Sequence, residues 1–424
     1  MKNNNKFKFN HLFMFILVCT FISCDNDDDD DIINTTTTVE QTTTTSEDTT
    51  SDDDSSSDDD SSSDDDTATV IPETYVFERN GESTLSYSGQ TTRLNQSNEL
   101  YSALNDNTAS LEDLNLMFQG DDSGSSGGFS DETLNGTSKI IGSKTSASTL
   151  RGDALTKAQF VQWLTDYTTD IIPNWVSDAS EGNAGQYGNY HFTANGHEID
   201  QLFFKGLIGA FCLDQIVNNY IHPNQLDSGT RTEDNTNEVL SGDSNYTVME
   251  HKWDEGFGYL YGQVADITLN NGLPADGESS GNLLMKYFKK VEENYDPGIA
   301  KRVYDAFIAG RSAIVSKDYV EREVQAKIIK QELSKAVGQY AVHYLSGAYE
   351  NYNGGADDIR DAFHGLSEGY GFVLSLQFTN DGNDEPYFTK EEVDAYLTQL
   401  ENFYTLEANT ILEMHNEIKS RFGI

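Results

Sequence analysis

Hydrophobic residues recur every three to four positions through most of the chain after residue 150. This spacing gives a helix one apolar face, which buries against neighbouring elements. It predicts a mainly α, multi-helix bundle with helices over 156–170, 198–220, 248–261, 300–315, 317–349, 357–378, 389–406 and 407–422. Polar, glycine-rich segments are predicted to be loops, at 177–195, 224–245 and 266–282.

The segment 71–150 has a different pattern. Two short β-prone runs, 74–77 and 85–87, flank an Asn80-Gly81 pair, which predicts a small N-terminal β-hairpin. A helix is predicted over 93–104, followed by a Gly/Ser-rich surface loop over 119–148. We expect 71–150 to pack on a helical domain formed by 151–424.

The first 23 residues resemble a bacterial lipoprotein signal peptide. Basic residues precede an apolar run over 12–22, which is too short to be a mature membrane span. Ser23 comes directly before Cys24, which favours cleavage there and lipidation of the Cys24 thiol. Cleavage before Cys19 has a poorer context because Val18 precedes it, and an ordinary secretory signal is the other alternative.

Residues 24–70 are predicted to form a disordered tether of Ser, Thr and Asp. Between Asp25 and Asp66 there are 18 acidic residues and no basic ones, so the segment repels itself and has little to bury. The acidic run after Cys24 resembles an export signal of Bacteroidota surface lipoproteins. It predicts an outer-membrane protein exposed on the cell surface, although the acids could also simply continue the tether.

Charge argues against nucleic acid as a partner. From Thr67 onward the chain has 53 acidic and 24 basic residues, a formal charge of −29. No basic stripe is present to neutralise phosphates, so cations or a basic partner suit this surface better. Acidity also serves solubility. After cleavage only Cys24 and Cys212 remain, and lipidation of Cys24 leaves no intramolecular disulfide.

One motif occurs twice. The stretch from His251 reads HKWDEGFGY and the stretch from His364 reads HGLSEGYGF, so His, Glu and both Gly match at an offset of 113 residues. Each copy lies on a predicted helix, where His251 and Glu255, like His364 and Glu368, share a face at i and i+4. The repeat predicts two pseudo-repeated halves.

The motif has two interpretations. Four glycines inside helices cost about 0.8–1 kcal/mol each relative to Ala, which suggests close helix–helix approach. If the two motif helices lie side by side, His251, Glu255, His364 and Glu368 converge and could bind iron or another divalent metal. Alternatively, His and Glu bond each other or the backbone at a buried crossing, and the motif serves packing alone.

Other candidates are weaker. Asp254 adds a carboxylate beside Glu255, but Ser367 replaces it in the second copy. We expect His197-Glu198 to cap a helix or face solvent, and His343 to be a core or surface histidine. The sequence contains no phosphate-binding loop, nucleophile elbow or His-Glu-x-x-His pair.

The strings YSGQTTRL at 87–94, EHKWDEGFGY at 250–259 and HGLSE at 364–368 resemble an uncharacterised Bacteroidota lipoprotein family, a domain of unknown function. More distantly, the duplicated halves are similar to imelysin-like envelope proteins, which implies two helical bundles and a link to iron uptake. The imelysin signature is His-x-x-Glu after Gly-x. Here the first copy has Asp254 at the i+3 position and the second has only Glu368 at i+4.

The sequence therefore predicts a surface-anchored, imelysin-like lipoprotein that binds a ligand. Iron, another divalent metal or a metal-bearing compound is the favoured ligand, bound through the duplicated motif. The alternative is a structural or recognition lipoprotein that binds a glycan or an envelope protein through its many Tyr and Trp residues. A metal-dependent hydrolase would also need an open coordination position and a general base, so catalysis is the less favoured class.

Overall fold

The computed structural model describes residues 71–424 except 270, 276–278, 280, 353 and 355. The predicted signal peptide, Cys24 and the tether lie outside the described residues. The described chain is mainly helical, as the sequence predicts. Its 14 α-helices are α1 Ser88–Ala103, α2 Leu111–Gln119, α3 Ile141–Lys144, α4 Ala154–Asp166, α5 Ile199–Leu207, α6 Pro223–Leu226, α7 Arg231–Thr236, α8 Val248–Tyr261, α9 Leu283–Asn294, α10 Ile299–Ser316, α11 Tyr319–Tyr352, α12 Ala356–Ser375, α13 Lys390–Gln399 and α14 Ala408–Phe422.

The predicted N-terminal hairpin and its turn are present, but the strands lie next to the turn and outside the predicted runs 74–77 and 85–87. Strand β1, Glu78–Arg79, pairs antiparallel with β2, Glu82–Ser83. Asn80 and Gly81 have φ of 57° and 81°. Positive φ at both turn residues matches the right-handed twist of the strands, and Asn-Gly adopts it at little cost.

A second hairpin lies inside the stretch 177–195, which was wrongly predicted to be entirely loop. Strand β3, Gly185–Tyr187, pairs with β4, Tyr190–Phe192. Its turn glycine, Gly188, has φ of 66°. Phe192 is fully buried and packs edge-on against Phe363 of α12. The hairpin is therefore stabilised by a tertiary contact, which the local sequence pattern does not show.

A buried helical rod runs from Ile199 to Tyr220. It begins as α5 and continues with π-type hydrogen bonding over Ile208–Leu213 and Ile216–Tyr220. Every residue of the rod is buried, as expected for a helix that is apolar on most sides. Its first half packs on α12 and its last turn packs on α8.

Helices α4, α6, α8, α9, α11 and α12 pack against this rod. The long helix α11 packs on α10, α12 and α14, while α1 packs on α8. The segment before α1 is attached to the helical core, since Tyr75 stacks on Phe257 with ring centroids 3.7 Å apart. Within the described residues, none of the helices combines the length and apolarity needed to cross a bilayer.

Several helix boundaries differ from the predicted ones. The helix expected over 389–406 ends at Gln399, and α6 and α7 lie inside the predicted loop 224–245. Helix α7 is short and polar, and it is held by Asn235. This buried side chain donates to the Ile314 carbonyl and accepts from the Thr247 hydroxyl, contacts that periodicity cannot show.

Candidate functional site

The first motif copy lies on α8, whose N-terminus is closed by a capping box. The Thr247 hydroxyl accepts from the Glu250 amide, and the Glu250 carboxylate accepts from the Thr247 amide. One turn into the helix, His251 stacks on Tyr246 with ring centroids 4.8 Å apart. Its Nδ1 lies 3.0 Å from the Ser86 carbonyl oxygen, so this histidine ties α8 to the segment before α1.

Glu255 is buried in the same copy and has several polar partners. Its Oε1 accepts from Gln90 of α1 at 2.9 Å, and its Oε2 lies 3.0 Å from the Lys252 ammonium. The Nε2 of His251 lies 3.8 Å from the same Oε2. Burial opposes ionisation of Glu255, but neighbouring basic side chains, chiefly the Lys252 ammonium, outweigh it and lower the pKa of this carboxyl.

The second copy lies on α12 and is more open to solvent. His364 stacks almost flat on Tyr190, with ring centroids 4.3 Å apart and planes 8° apart. Its Nδ1 is bonded to the Glu198 carboxylate at 2.5 Å, and its Nε2 lies 3.6 Å from Glu368 Oε2. The other Glu368 oxygen lies 3.2 Å from the Lys205 ammonium.

Both copies therefore build the same arrangement: a histidine stacked on a tyrosine, and a glutamate paired with a lysine. The lysines have different origins. Lys252 belongs to the motif helix itself, whereas Gly365 occupies the matching position in the second copy, and Lys205 of α5 supplies the ammonium instead. The copies also differ at the histidine, because Nδ1 faces a carbonyl in the first and a carboxylate in the second.

Acidic groups surround His364. Burial raises the pKa of Glu198, and burial followed by repulsion from Glu198 raises the pKa of Asp200 to about 7. Burial alone would lower the pKa of His364, but Glu198 and Glu368 outweigh it and raise that pKa. The second copy is thus a half-buried cluster of carboxylates around one imidazole. In the first copy the motif glutamate, Glu255, is buried and paired with Lys252.

The two copies do not share partners. The first bonds to Ser86 and Gln90, and the second to Glu198 and Lys205. The prediction that the motif helices lie side by side is wrong, because α8 and α12 each pack mainly on other helices, including opposite ends of the buried rod. Within the described part of the chain, no three His, Cys, Asp or Glu side chains are grouped so as to hold a metal ion.

Two weaker predictions are corrected here. Glu198 stands at the N-cap of α5 but makes no side-chain cap; its buried carboxylate bonds His364 instead. His197 does not face solvent freely, since its Nε2 donates to the Leu400 carbonyl at 2.9 Å and burial lowers its pKa to about 4. The exposed His343 bonds to the Tyr295 hydroxyl at 2.7 Å, consistent with a surface histidine.

The carboxylate next to Glu255 has a structural partner. Asp254 is fully buried and accepts from the Tyr75 hydroxyl at 2.6 Å and from Arg311 Nε at 3.1 Å. Arg311 is also fully buried and reaches Glu250 at 3.0 Å. In the second copy Ser367 takes the place of Asp254, and its hydroxyl accepts from the Glu198 amide at 2.9 Å.

A wide opening in the described surface lies elsewhere, and no motif His or Glu lines it. It is a groove of about 660 Å³, here called the acidic groove, formed by α4, the loop 193–197, α12 and α13. Aromatic side chains Trp163, Tyr370 and His197 line it, and its charged lining residues are Asp166, Asp170, Lys390, Asp394 and Glu401. Its volume is in the range of small-molecule sites, about 300–1,000 Å³.

Two aromatic side chains form part of the apolar lining of this groove. Trp163 is only 3% exposed and Tyr370 is half-buried. The indole of Trp253, by contrast, is fully buried on α8 and donates to the Phe307 carbonyl at 3.0 Å. An opening that combines aromatic side chains with a few polar groups is typical of a small-molecule site.

A family model described as a domain of unknown function (DUF4856) matches residues 72–424. The chain belongs to this family. The match confirms the expected resemblance to an uncharacterised domain family, while the bacterial lineage and the likeness to imelysins stay predictions. No curated protein and no solved structure gives a significant match.

The DUF4856 match covers both motif copies and the whole acidic groove. Sequence reasoning found His251, Glu255, His364 and Glu368 from their repetition, but it missed the groove. Its lining residues come from four separated segments, and only Tyr370 among them belongs to the repeated motif. One weak indication was available in the sequence: Trp163 lies at the centre of the apolar face of α4, which indicates that this face packs against other elements.

Proposed function

We propose that this chain is a lipid-anchored protein of the outer membrane, exposed on the cell surface, which binds a ligand in the acidic groove without transforming it. The observation that carries this proposal is an opening of about 660 Å³ that combines the aromatic rings of Trp163 and Tyr370 with four carboxylates. Anchoring at Cys24 rests on the signal-like N-terminus. A long acidic tether suits a binding domain that must reach away from its membrane.

In this account the duplicated motif holds helices together. Each motif glutamate is paired with a lysine, at 3.0 Å for Glu255 and 3.2 Å for Glu368. Each motif histidine stacks on a tyrosine and bonds a neighbouring segment through Nδ1. Buried ionic groups that are fully paired specify one packing arrangement, and leaving one of them unpaired is costly.

The groove can be blocked without touching the core. Leu155 lines the groove, is 75% exposed and is the second residue of α4, so Leu155→Trp should fill the opening. Val320 is 79% exposed at the second position of α11, outside the groove, and Val320→Trp is the matched control. We expect a ligand found by thermal-shift screening of amines, peptides and soluble glycans to lose its effect on Leu155→Trp only.

Two outcomes of that screen would count against groove binding. One is a ligand that stabilises the wild-type chain and Leu155→Trp equally, since its site would then lie elsewhere. The other is a complete screen in which no compound raises the melting temperature of the wild-type chain. A true ligand at 100 times its Kd would stabilise the folded state by about 2.7 kcal/mol.

A metal ion at the second motif copy is the other candidate function. His364 Nε2 and Glu368 Oε2 face each other at 3.6 Å, and Glu198 holds the opposite ring nitrogen. A carboxylate on the far nitrogen is the usual support for a histidine that binds a transition metal. Iron or zinc would then be held by His364 and Glu368. Calorimetric titration with Zn²⁺ tests this candidate.

A further inference from the structure

Charge in the acidic groove is strongly unbalanced. Four carboxylates and one ammonium line it, which gives a formal charge of −3. The ammonium of Lys390 is itself held by Asp394 at 2.8 Å. A ligand that entered with negative charge would be repelled, whereas a cation would be attracted over a range set by the ionic strength.

The carboxylates belong to two separate elements. Asp166 ends α4 and Asp170 lies one turn later, in the π-type turn that follows. Asp394 lies on α13, and Glu401 follows that helix. The groove therefore offers anionic groups at two places, which suits a ligand with more than one positive group.

Apolar and aromatic surface accompanies these acids. Trp163, Tyr370 and Leu397 line the same groove, and Leu155 lines it with a largely exposed side chain. Methylene groups bury favourably against such surface, and ammonium groups are attracted to the face of an aromatic ring. A neutral sugar would leave the carboxylates without counter-charge.

The titration of two groove residues agrees with an excess of negative charge. Burial raises the pKa of Asp166, and nearby Asp170 raises it further. Burial also raises the pKa of Tyr370, and the carboxylates of Glu401 and Asp394 add to that effect. Both groups resist ionisation because they are buried and because neighbouring carboxylates repel a further negative charge.

We propose that the acidic groove binds a linear oligoamine, that is, ammonium groups joined by methylene chains. The ammonium groups pair with the carboxylates of the two elements, and the methylenes lie on the apolar lining. The same chemistry is available from a free polyamine and from neighbouring lysines of a peptide. This inference rests on the groove being the ligand site, as proposed above.

Calorimetry on the full chain at about 0.15 M salt tests the inference, with spermidine and tri-lysine as probes and a neutral trisaccharide as comparison. Glu401→Gln and Asp170→Asn remove exposed groove charges, and each should weaken spermidine binding about threefold or more. Glu413→Gln removes an exposed glutamate of α14 outside the groove and should leave the affinity unchanged. Leu155→Trp should abolish saturable binding.

The variants also separate the groove from the tether, whose 18 acidic residues could attract any polycation. Spermidine binding that persists unchanged in Leu155→Trp and Glu401→Gln would overturn the oligoamine inference. Saturable binding of the trisaccharide but not of either amine, lost in Leu155→Trp, would overturn it while leaving groove binding intact. Tighter binding of tri-lysine than of spermidine would support it and identify a peptide as the source.

Discussion

At the scale of single residues, the same His-Glu pair has two different environments. His251 bonds a backbone carbonyl, and its partner Glu255 is closed off by Lys252. His364 bonds a carboxylate, and Lys205 contacts the Glu368 oxygen other than the one nearest to His364. In the second pair, His364 Nε2 faces Glu368 Oε2, and Lys205 contacts the other oxygen of that carboxylate. In the first pair, His251 Nε2 and Lys252 face the same oxygen of Glu255.

Metal binding should therefore differ between the copies. If the second copy holds a transition metal, Glu368→Gln should abolish Zn²⁺ binding, because an amide is a poor substitute for a carboxylate ligand. Glu255→Gln, the same change in the first copy, should leave the stoichiometry and affinity as in the wild type. Absence of any Zn²⁺ or Fe²⁺ heat with the wild-type chain, or equal losses in both variants, would contradict the metal candidate.

At the scale of elements, the motif glycines have separate roles. A Cβ added to Gly371 would lie 2.4 Å from Lys205 Cβ and 2.7 Å from the Gly206 amide nitrogen. A Cβ added to Gly258 would lie 2.5 Å from Tyr87 Cβ. At Gly369 the nearest atom would be Leu345 Cδ2 at an ordinary 3.5 Å. Close approach, predicted for all four glycines, is therefore least evident at Gly369.

This difference gives a stability prediction within one helix. Gly371→Ala should lower the free energy of unfolding by about 1–3 kcal/mol, because backbone and Cβ atoms of α5 must move. Gly369→Ala should be neutral or raise it by up to about 1 kcal/mol through helix propensity. Urea unfolding followed by circular dichroism measures both. Equal effects of the two substitutions would show that α5 and α12 are not closely packed at Gly371.

The elements that were predicted correctly from the sequence are those that are determined by residues close together in the chain. Helix α8 was predicted with its observed bounds from the spacing of its apolar residues, and the structure shows that a local capping box of Thr247 and Glu250 also marks its start. The turn of the first hairpin was predicted from the adjacent pair Asn80-Gly81. Hairpin β3–β4 and helix α7 were missed because Phe192 and Asn235 stabilise them through contacts with distant segments.

At the scale of the whole molecule, composition predicted the character of the surface but not the position of the site. The formal charge of −29 after the tether favours cationic partners, and the groove concentrates such charge around Trp163 and Tyr370. The repeated motif drew attention to His251 and His364 instead. The repeated motif indicates a packing arrangement that occurs twice. The groove is formed by four segments that are far apart in the chain, so its lining residues follow no regular spacing in the sequence.

The central claim is that ligand enters the groove and not the motif clusters. The chain has three tryptophans, so nitrogen-15 labelling of tryptophan gives three indole N–H signals, assignable by substitution to Phe. Saturating spermidine should shift the signal of Trp163, which lines the groove, and leave that of Trp253 on α8 unchanged. Calorimetric binding with an unmoved Trp163 signal, or with a shift at Trp253 alone, would contradict the claim.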